Sequence, residues 1–239
     1  MYSTDERIVD DALRDVRDKR LLLEEYDRWL IDQVRPYLGR RLLEVGCGWG
    51  NVLRLIEGSV QEIVAIDVDE ESIDRVWQRF GGHPAFRALK GDICDVETVE
   101  AVRTGFDTVL SVNVLEHIED DLLALSHMKR VLVPGGYLIA IAPAHTFLYN
   151  RMDRSIGHHR RYTKTDLSTK LERIGCRVEM LRYINWLGAI GWLLRGVSSG
   201  KADMPAGQLK LMNALIPALR RLEAQVEPPF GISLLAVAR

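Results

Sequence analysis

Between residues 41 and 142 short apolar runs alternate with amphipathic stretches, and no other feature restricts the fold of this chain as strongly. RLLEVG (41–46), EIVAID (62–67), AFRALK (85–90), FDTVLSV (106–112) and YLIAIA (137–142) read as buried strands. Helical spacing predicts helices over 51–57, 70–80, 95–103 and 118–132, the last placing Ile118, Leu122, Leu125 and Met128 on one face. Pro134-Gly135-Gly136 is expected to stop that helix and turn the chain into the fifth strand. Strands that each return through a helix pair in parallel, so the sheet needs helices on both faces.

The flanks behave differently. Leu22, Tyr26, Trp29, Leu30, Val34 and Tyr37 recur at helical spacing, ending near Pro36 and Gly39. Residues 143–163 read as an irregular basic insertion, followed by a helix over 164–174 and a strand over 176–184. Residues 185–226 are apolar without strand character, and a final strand is predicted over 230–239 after Pro228-Pro229. A single domain over 1–239 follows: helices in 1–40, a core over 41–142, an acceptor-side loop over 143–163, a helical lid over 185–226 and the last strand.

Composition excludes several classes. A formal charge of -2 over 239 residues lacks the basic excess of a general nucleic-acid binder. The first twenty residues are charged throughout, unlike a signal peptide. The longest apolar stretch, Tyr183 to Leu194, falls short of the roughly 20 residues a bilayer span needs. Cys47, Cys94 and Cys176 are scattered, with no CxxC or Cys/His cluster, so neither a disulfide framework nor a metal is expected. A cytoplasmic chain with reduced thiols is the simplest expectation.

Glu44-Val45-Gly46-Cys47-Gly48-Trp49-Gly50-Asn51 joins the first strand to the first helix. Glycines there permit a tight turn and close approach of a ligand to backbone N–H groups. Turns also use glycine for purely structural reasons, but three at alternate positions in a strand–loop–helix context point to a nucleotide-like ligand. The dinucleotide fingerprint GxGxxG is not met, since Asn51 stands where its last glycine belongs. Glu44 would repel a pyrophosphate yet suits a ligand bearing an ammonium and a sulfonium. Acids recur after the second and third strands, as Asp67 and Asp92; Asp69 is better read as a helix cap.

LLEVGCGWGN, VAIDVDEESI, LKGDICD, FDTVLSVNVLEHIEDD and VLVPGGYLIAIAP, covering about 35–145, resemble the successive motifs of class I S-adenosylmethionine (SAM)-dependent methyltransferases. The resemblance is nearest to the quinone-biosynthesis type, whose fourth strand ends in a similar LEHI-like segment. It implies a doubly wound, mostly parallel, seven-stranded Rossmann-like α/β sheet with an antiparallel C-terminal strand, N-terminal helices and an inserted helical lid. It further implies methyl transfer from SAM by in-line displacement, releasing S-adenosylhomocysteine. Carried over by position, Gly46, Gly48 and Gly50 would pass beneath the methionine part of SAM, with Glu44 anchoring it and Cys47 alongside. Asp67 would accept the ribose hydroxyls and Val68 would lie against adenine. Asp92 would accept the adenine amine beside Ile93, and Asn113, Val114 and His117 would lie near the methionine end. For His117 a packing or capping role weighs equally.

The acceptor crevice of such a sheet lies beyond the carboxyl ends of the strands, beneath residues 143–163. The segment GHHRRYT resembles a histidine-and-basic stretch of related small-molecule enzymes, and Arg160, Arg161 and Tyr162 are candidates for holding an anionic acceptor. A solvated basic loop is the equal alternative. Proximity carries much of the rate of such a displacement. If a hydroxyl must lose a proton, His145 and His158, then Tyr149, are the candidate bases. The apolar lid suits a hydrophobic acceptor, a membrane-surface contact or a homodimer interface, and the first is preferred. Asn113-Val114-Leu115-Glu116 differs from the NPPY-like segment of amino-directed DNA methyltransferases, and no aromatic stands there to stack a flipped base. A small-molecule acceptor is therefore expected, ahead of RNA or protein methylation and of a non-catalytic SAM-binding subunit.

Overall fold

The computed structural model describes residues 4–198 and 205–239; positions 199–204 of the expected lid lie outside the described residues. In chain order the helices and strands are α1 (Thr4–Arg20), α2 (Glu24–Val34), β1 (Arg41–Val45), α3 (Leu53–Ile56), β2 (Glu62–Asp67), α4 (Glu70–Phe80), β3 (Phe86–Lys90), α5 (Val96–Val102), β4 (Phe106–Val112), α6 (Asp121–Arg130), β5 (Leu132–Pro143), α7 (Arg151–Ser155), α8 (Lys164–Arg173), β6 (Val178–Ile184), α9 (Trp186–Ser198), α10 (Ala206–Glu223) and β7 (Ser233–Ala238).

The strands form one seven-stranded sheet in the order β3-β2-β1-β4-β5-β7-β6. β1 to β5 pair in parallel, and β7 is antiparallel to both its neighbours. The last strand in sequence thus slots between β5 and β6 and leaves β6 at the edge. Side chains alternate between two cores, as strand geometry requires. Leu43, Val109, Leu138 and Ala236 join α6 and α8 on one face. Leu42, Leu110, Ile139 and Leu235 join α2, α3, α4 and α10 on the other.

Three boundaries differ from the sequence reading, each for a local reason. The Asp120 carboxylate accepts from the Leu123 N–H, so α6 starts at Asp121 and the preceding 115–117 is a 3-10 turn. Pro134-Gly135-Gly136 does not precede β5 but lies inside it. The register jumps there from Phe106↔Leu132 to Thr108↔Tyr137, a bulge helped by Gly135 at φ +81°. The helix expected over 51–57 shortens to one α-turn, Leu53–Ile56, followed by a 3-10 turn.

Residues 143–163 are also more ordered than an irregular loop. Asn150 and Asp153 form a capping box that starts α7. Helix α2 is capped from outside: Leu23 at its N-cap offers no acceptor, and Asn213 Oδ1 of α10 accepts from the Glu25 and Tyr26 N–H groups at 3.0 and 3.3 Å. That pair of bonds ties α10 to the sheet-covering helix beneath it.

Candidate cofactor and acceptor site

Strand order reverses between β1 and β4, so their following connections leave in opposite directions and open a crevice at the carboxyl ends. A cavity of about 320 Å³ occupies that position. Its floor includes Glu44 near the end of β1, Gly46, Cys47 and Gly48 after it, and Asn113, Glu116 and His117 after β4. Its walls and roof come from Val16, Arg17 and Arg20 of α1, Trp192 of α9 and Met212 and Ile216 of α10.

The glycine loop divides its labour. A Cβ on Gly46 (φ +73°) would meet Val114 Cγ2 at 2.2 Å, and one on Gly50 (φ +76°) would meet Phe80 at 2.8 Å. Both glycines are required by packing. Gly48 (φ +49°) lines the cavity, and a Cβ there would find nothing within 4 Å. It leaves room for a ligand rather than for a neighbouring side chain. The loop is held by Asp67, whose carboxylate accepts from the Gly48 N–H at 2.8 Å and the Asp69 N–H at 3.0 Å.

The acids report what such a ligand must carry. Glu44 is buried, its Oε2 has no hydrogen-bond partner among the described residues, and burial, then the nearby Asp67 and Asp27, push its carboxyl well above the ordinary range. A cationic amine at that end of the cavity would satisfy it, so the residues present fit the methionine ammonium of SAM. Burial also raises Asp67. Arg17 of α1 lies 3.8 Å from Asp67 and 2.5 Å from Asp69. Asp69 caps α4 through Ser72, as its sequence position suggested. Asn113 takes a positive φ of 55°, and its carboxamide oxygen, turned toward Arg20, accepts from it at 2.8 Å. Arg20 is in turn paired with buried Asp27.

The adenine-side candidates fall differently. Val68 is 61% exposed, leaving an open apolar face beside Asp67. Asp92 accepts from the Cys94 N–H at 2.8 Å and is not among the cavity's lining residues. Ile93 is packed in the core, its carbonyl held by His127.

Opposite the glycine loop a second cluster faces the cavity. Glu116 is fully buried with neither carboxylate oxygen hydrogen-bonded among the described residues, and burial pushes its pKa up to about 7. Burial, then the adjacent His158, pushes His117 down to about 3, and the two rings meet edge-on at 4.6 Å. His158 Nδ1 lies 2.8 Å from Asp153 Oδ1, which leaves Nε2 turned toward Glu116 at 3.8 Å. Burial works against an ionised Asp153, but the His158 hydrogen bond and the Arg161 charge hold it below the usual carboxylate range. Arg161 lines the cavity, bridging Asp153 at 2.9 Å and lying over the Trp192 ring at 4.7 Å.

Of the acceptor-side candidates, the structure brings His158 and Arg161 to the cavity and places the others elsewhere. His145 packs its ring on Tyr183 at 4.3 Å and accepts from the Gly231 N–H. Tyr149 donates to the His158 carbonyl at 2.7 Å. Arg160 pairs with Asp121 at 3.0 Å, and Tyr162 is a core residue whose hydroxyl donates to Leu115 and Asp121. The basic stretch mostly ties the 143–163 segment to the post-β4 turn. Sequence reasoning missed Glu116, Arg17, Arg20, Asp27, Asp153 and Trp192 as site residues. Glu116 had a signal, standing beside His117 in the LEHI segment; the rest looked like ordinary surface or core positions.

The mostly parallel sheet, with its β1/β4 crevice and glycine loop, has the Rossmann-like fold. Residues 43–140 match the family described as "Methyltransferase domain". It is similar to an uncharacterized methyltransferase of Mycobacterium bovis, 35% identical over 112 residues, covering 47% of this chain and 55% of that protein. A ubiquinone biosynthesis O-methyltransferase of Thiobacillus denitrificans is 27% identical over 112 residues, covering 46% and 47% of the two chains. The chain thus spans about half the length of the curated relatives it matches. A SAM-dependent methyltransferase from Archaeoglobus fulgidus shares the fold, with a TM-score of 0.59 at 19% identity over 90% of this chain and 93% of that one. Among the described residues no helix is long and apolar enough to cross a membrane.

Proposed function

We propose that this chain transfers the methyl group of SAM to a small-molecule acceptor enclosed in the cavity between the glycine loop and α1, α9 and α10. One observation carries the reading: the Glu44–Gly48 cradle and the Glu116–His158 cluster open into the same roofed space. A volume of about 320 Å³ is in the range of a small-molecule site. SAM, when bound, supplies an electrophilic methyl group on its sulfonium.

The remaining assignments concern the chain's own residues. Glu44 holds the amine end, Gly48 admits the ligand to the backbone, and Asp67 faces the ribose once Arg17 is displaced. The apolar roof, with Val16, Met212 and Ile216, favours a hydrophobic acceptor, and Arg20 offers a partner for an anionic group on it. Of the candidate bases, His158 has its orienting carboxylate in place and its second ring nitrogen toward the cavity, so it takes the proton of a hydroxyl acceptor. Rate otherwise comes from holding the acceptor close and in line.

Incubating the protein with methyl-labelled SAM and fractionated cell extract tests the reading. Label in a low-molecular-mass fraction is expected. Label in nucleic acid or protein would overturn the acceptor class, and tight SAM binding with no labelled fraction would favour a binding subunit.

A further inference from the structure

Glu116 poses a problem that methyl transfer alone does not solve. It is fully buried, yet neither carboxylate oxygen has a hydrogen-bond partner among the described residues. A buried acid so placed needs a cation or a donor. Around it stand two imidazoles, each fixed through one ring nitrogen. His158 is held by the Asp153 carboxylate at Nδ1, and His117 by the backbone of Gly157. One ring nitrogen of each histidine and a Glu116 oxygen all lie within 4.8 Å of one another, His158 through its Nε2, 3.8 Å from Glu116. All three residues line the cavity.

We propose that Glu116, His117 and His158 form a binding site for a divalent first-row transition metal, with an open coordination position facing the acceptor. Two imidazoles and one carboxylate are a donor set that such ions accept, leaving the fourth position for water or substrate. Metal-bound histidines usually give their second nitrogen to a carboxylate or a carbonyl, and both partners are already present here. Bonds of roughly 2.1 Å would draw the three donor atoms to about 3.4 Å apart, a small closure for side chains. Arg161 neutralises Asp153 on its far side, so the orienting carboxylate does not need the ion for charge balance. With an ion bound, Nε2 of His158 is a ligand rather than a base. A hydroxyl acceptor on the open position would then lose its proton to water because the ion lowers its pKa.

The ion's role in methyl transfer rests on the proposed function, but its binding does not. The full chain, dialysed against a chelator, is titrated with zinc(II) in calorimetry, alone and beside a parallel SAM titration. One equivalent of zinc is expected to bind. Asp153→Asn should weaken it by about 10- to 100-fold, Glu116→Gln and His158→Gln by more, and His145→Gln, away from the cluster, not at all. Circular dichroism checks each fold. Should the ligand variants not fold, cobalt(II) added to the wild-type chain should give the intense visible bands of a four- or five-coordinate ion. Absent saturable zinc binding, affinity untouched by Glu116→Gln and His158→Gln, or a weak octahedral cobalt spectrum would overturn the site. SAM binding without zinc binding would leave the cofactor reading intact, and zinc without SAM would do the reverse.

Discussion

Glu44, one residue before the end of β1, has a carboxylate oxygen with no hydrogen-bond partner among the described residues, while a Cβ on Gly48, across the turn, would meet nothing within 4 Å. A group shaped by a ligand should be better off in the free protein once it is neutralised. Glu44→Gln is expected to weaken SAM binding by about 10- to 100-fold, the loss of one charge-assisted hydrogen bond of about 1.5–3 kcal/mol. The same change should raise the melting temperature of the ligand-free protein. Because the folded pKa is raised, Glu44's contribution is present in acid and is lost as pH rises beyond the ordinary carboxylate range. The melting-temperature gain of Glu44→Gln should therefore grow from acid to neutral pH; a gain independent of pH would contradict the burial of a charge there.

The glycines separate the same way. Gly46→Ala drives a Cβ into Val114 and should cost about 2–4 kcal/mol of stability, overpacking added to a left-handed backbone. Gly48→Ala pays only the left-handed term, about 1–2 kcal/mol, yet should abolish detectable SAM binding. Thermal melts and calorimetry on both variants decide it. Sequence spacing exposed the triplet but could not tell packing glycines from a ligand-facing one, because that depends on Val114 and Phe80, residues distant along the chain.

Elements were legible where periodicity was long, and the starts of α4 and α8 fall where expected, behind the caps Asp69 and Thr163. The caps Asp120 and Asn150 instead start α6 and α7 where the sequence reading did not place them. The five parallel strands fall where alternating apolar runs placed them, while the β5 bulge depends on register against β4, a contact the sequence does not display. The capping of α2 by Asn213 is likewise non-local. Asn213→Ala leaves two helix N–H groups unpartnered and should cost about 0.5–2 kcal/mol, the usual worth of an N-cap. Faster hydrogen exchange is expected in α10 and the first turn of α2; unchanged exchange would show that apolar contacts of Ile216 and Leu219 alone hold α10 down.

At the scale of the molecule, the crossover pattern implied a parallel sheet covered on both faces, the family resemblance a doubly wound one, and the structure places the cavity at the sheet's switch point. The roof was not legible: Arg17 reaches Asp67, and Trp192 meets Arg161, only because α1 and α9 fold back over the carboxyl ends. The acceptor-side cluster escaped for the same reason, since Glu116 and His158 lie on segments separated by α6, β5 and α7. Calorimetric titration of SAM into the wild-type chain and Asp67→Ala, each checked for folding by thermal melt, tests the central claim most directly. The account predicts one site in the wild type, a melting temperature raised by saturating SAM, and binding lost in the variant. A folded wild-type chain that does not bind SAM, or Asp67→Ala binding with unchanged affinity, would contradict it.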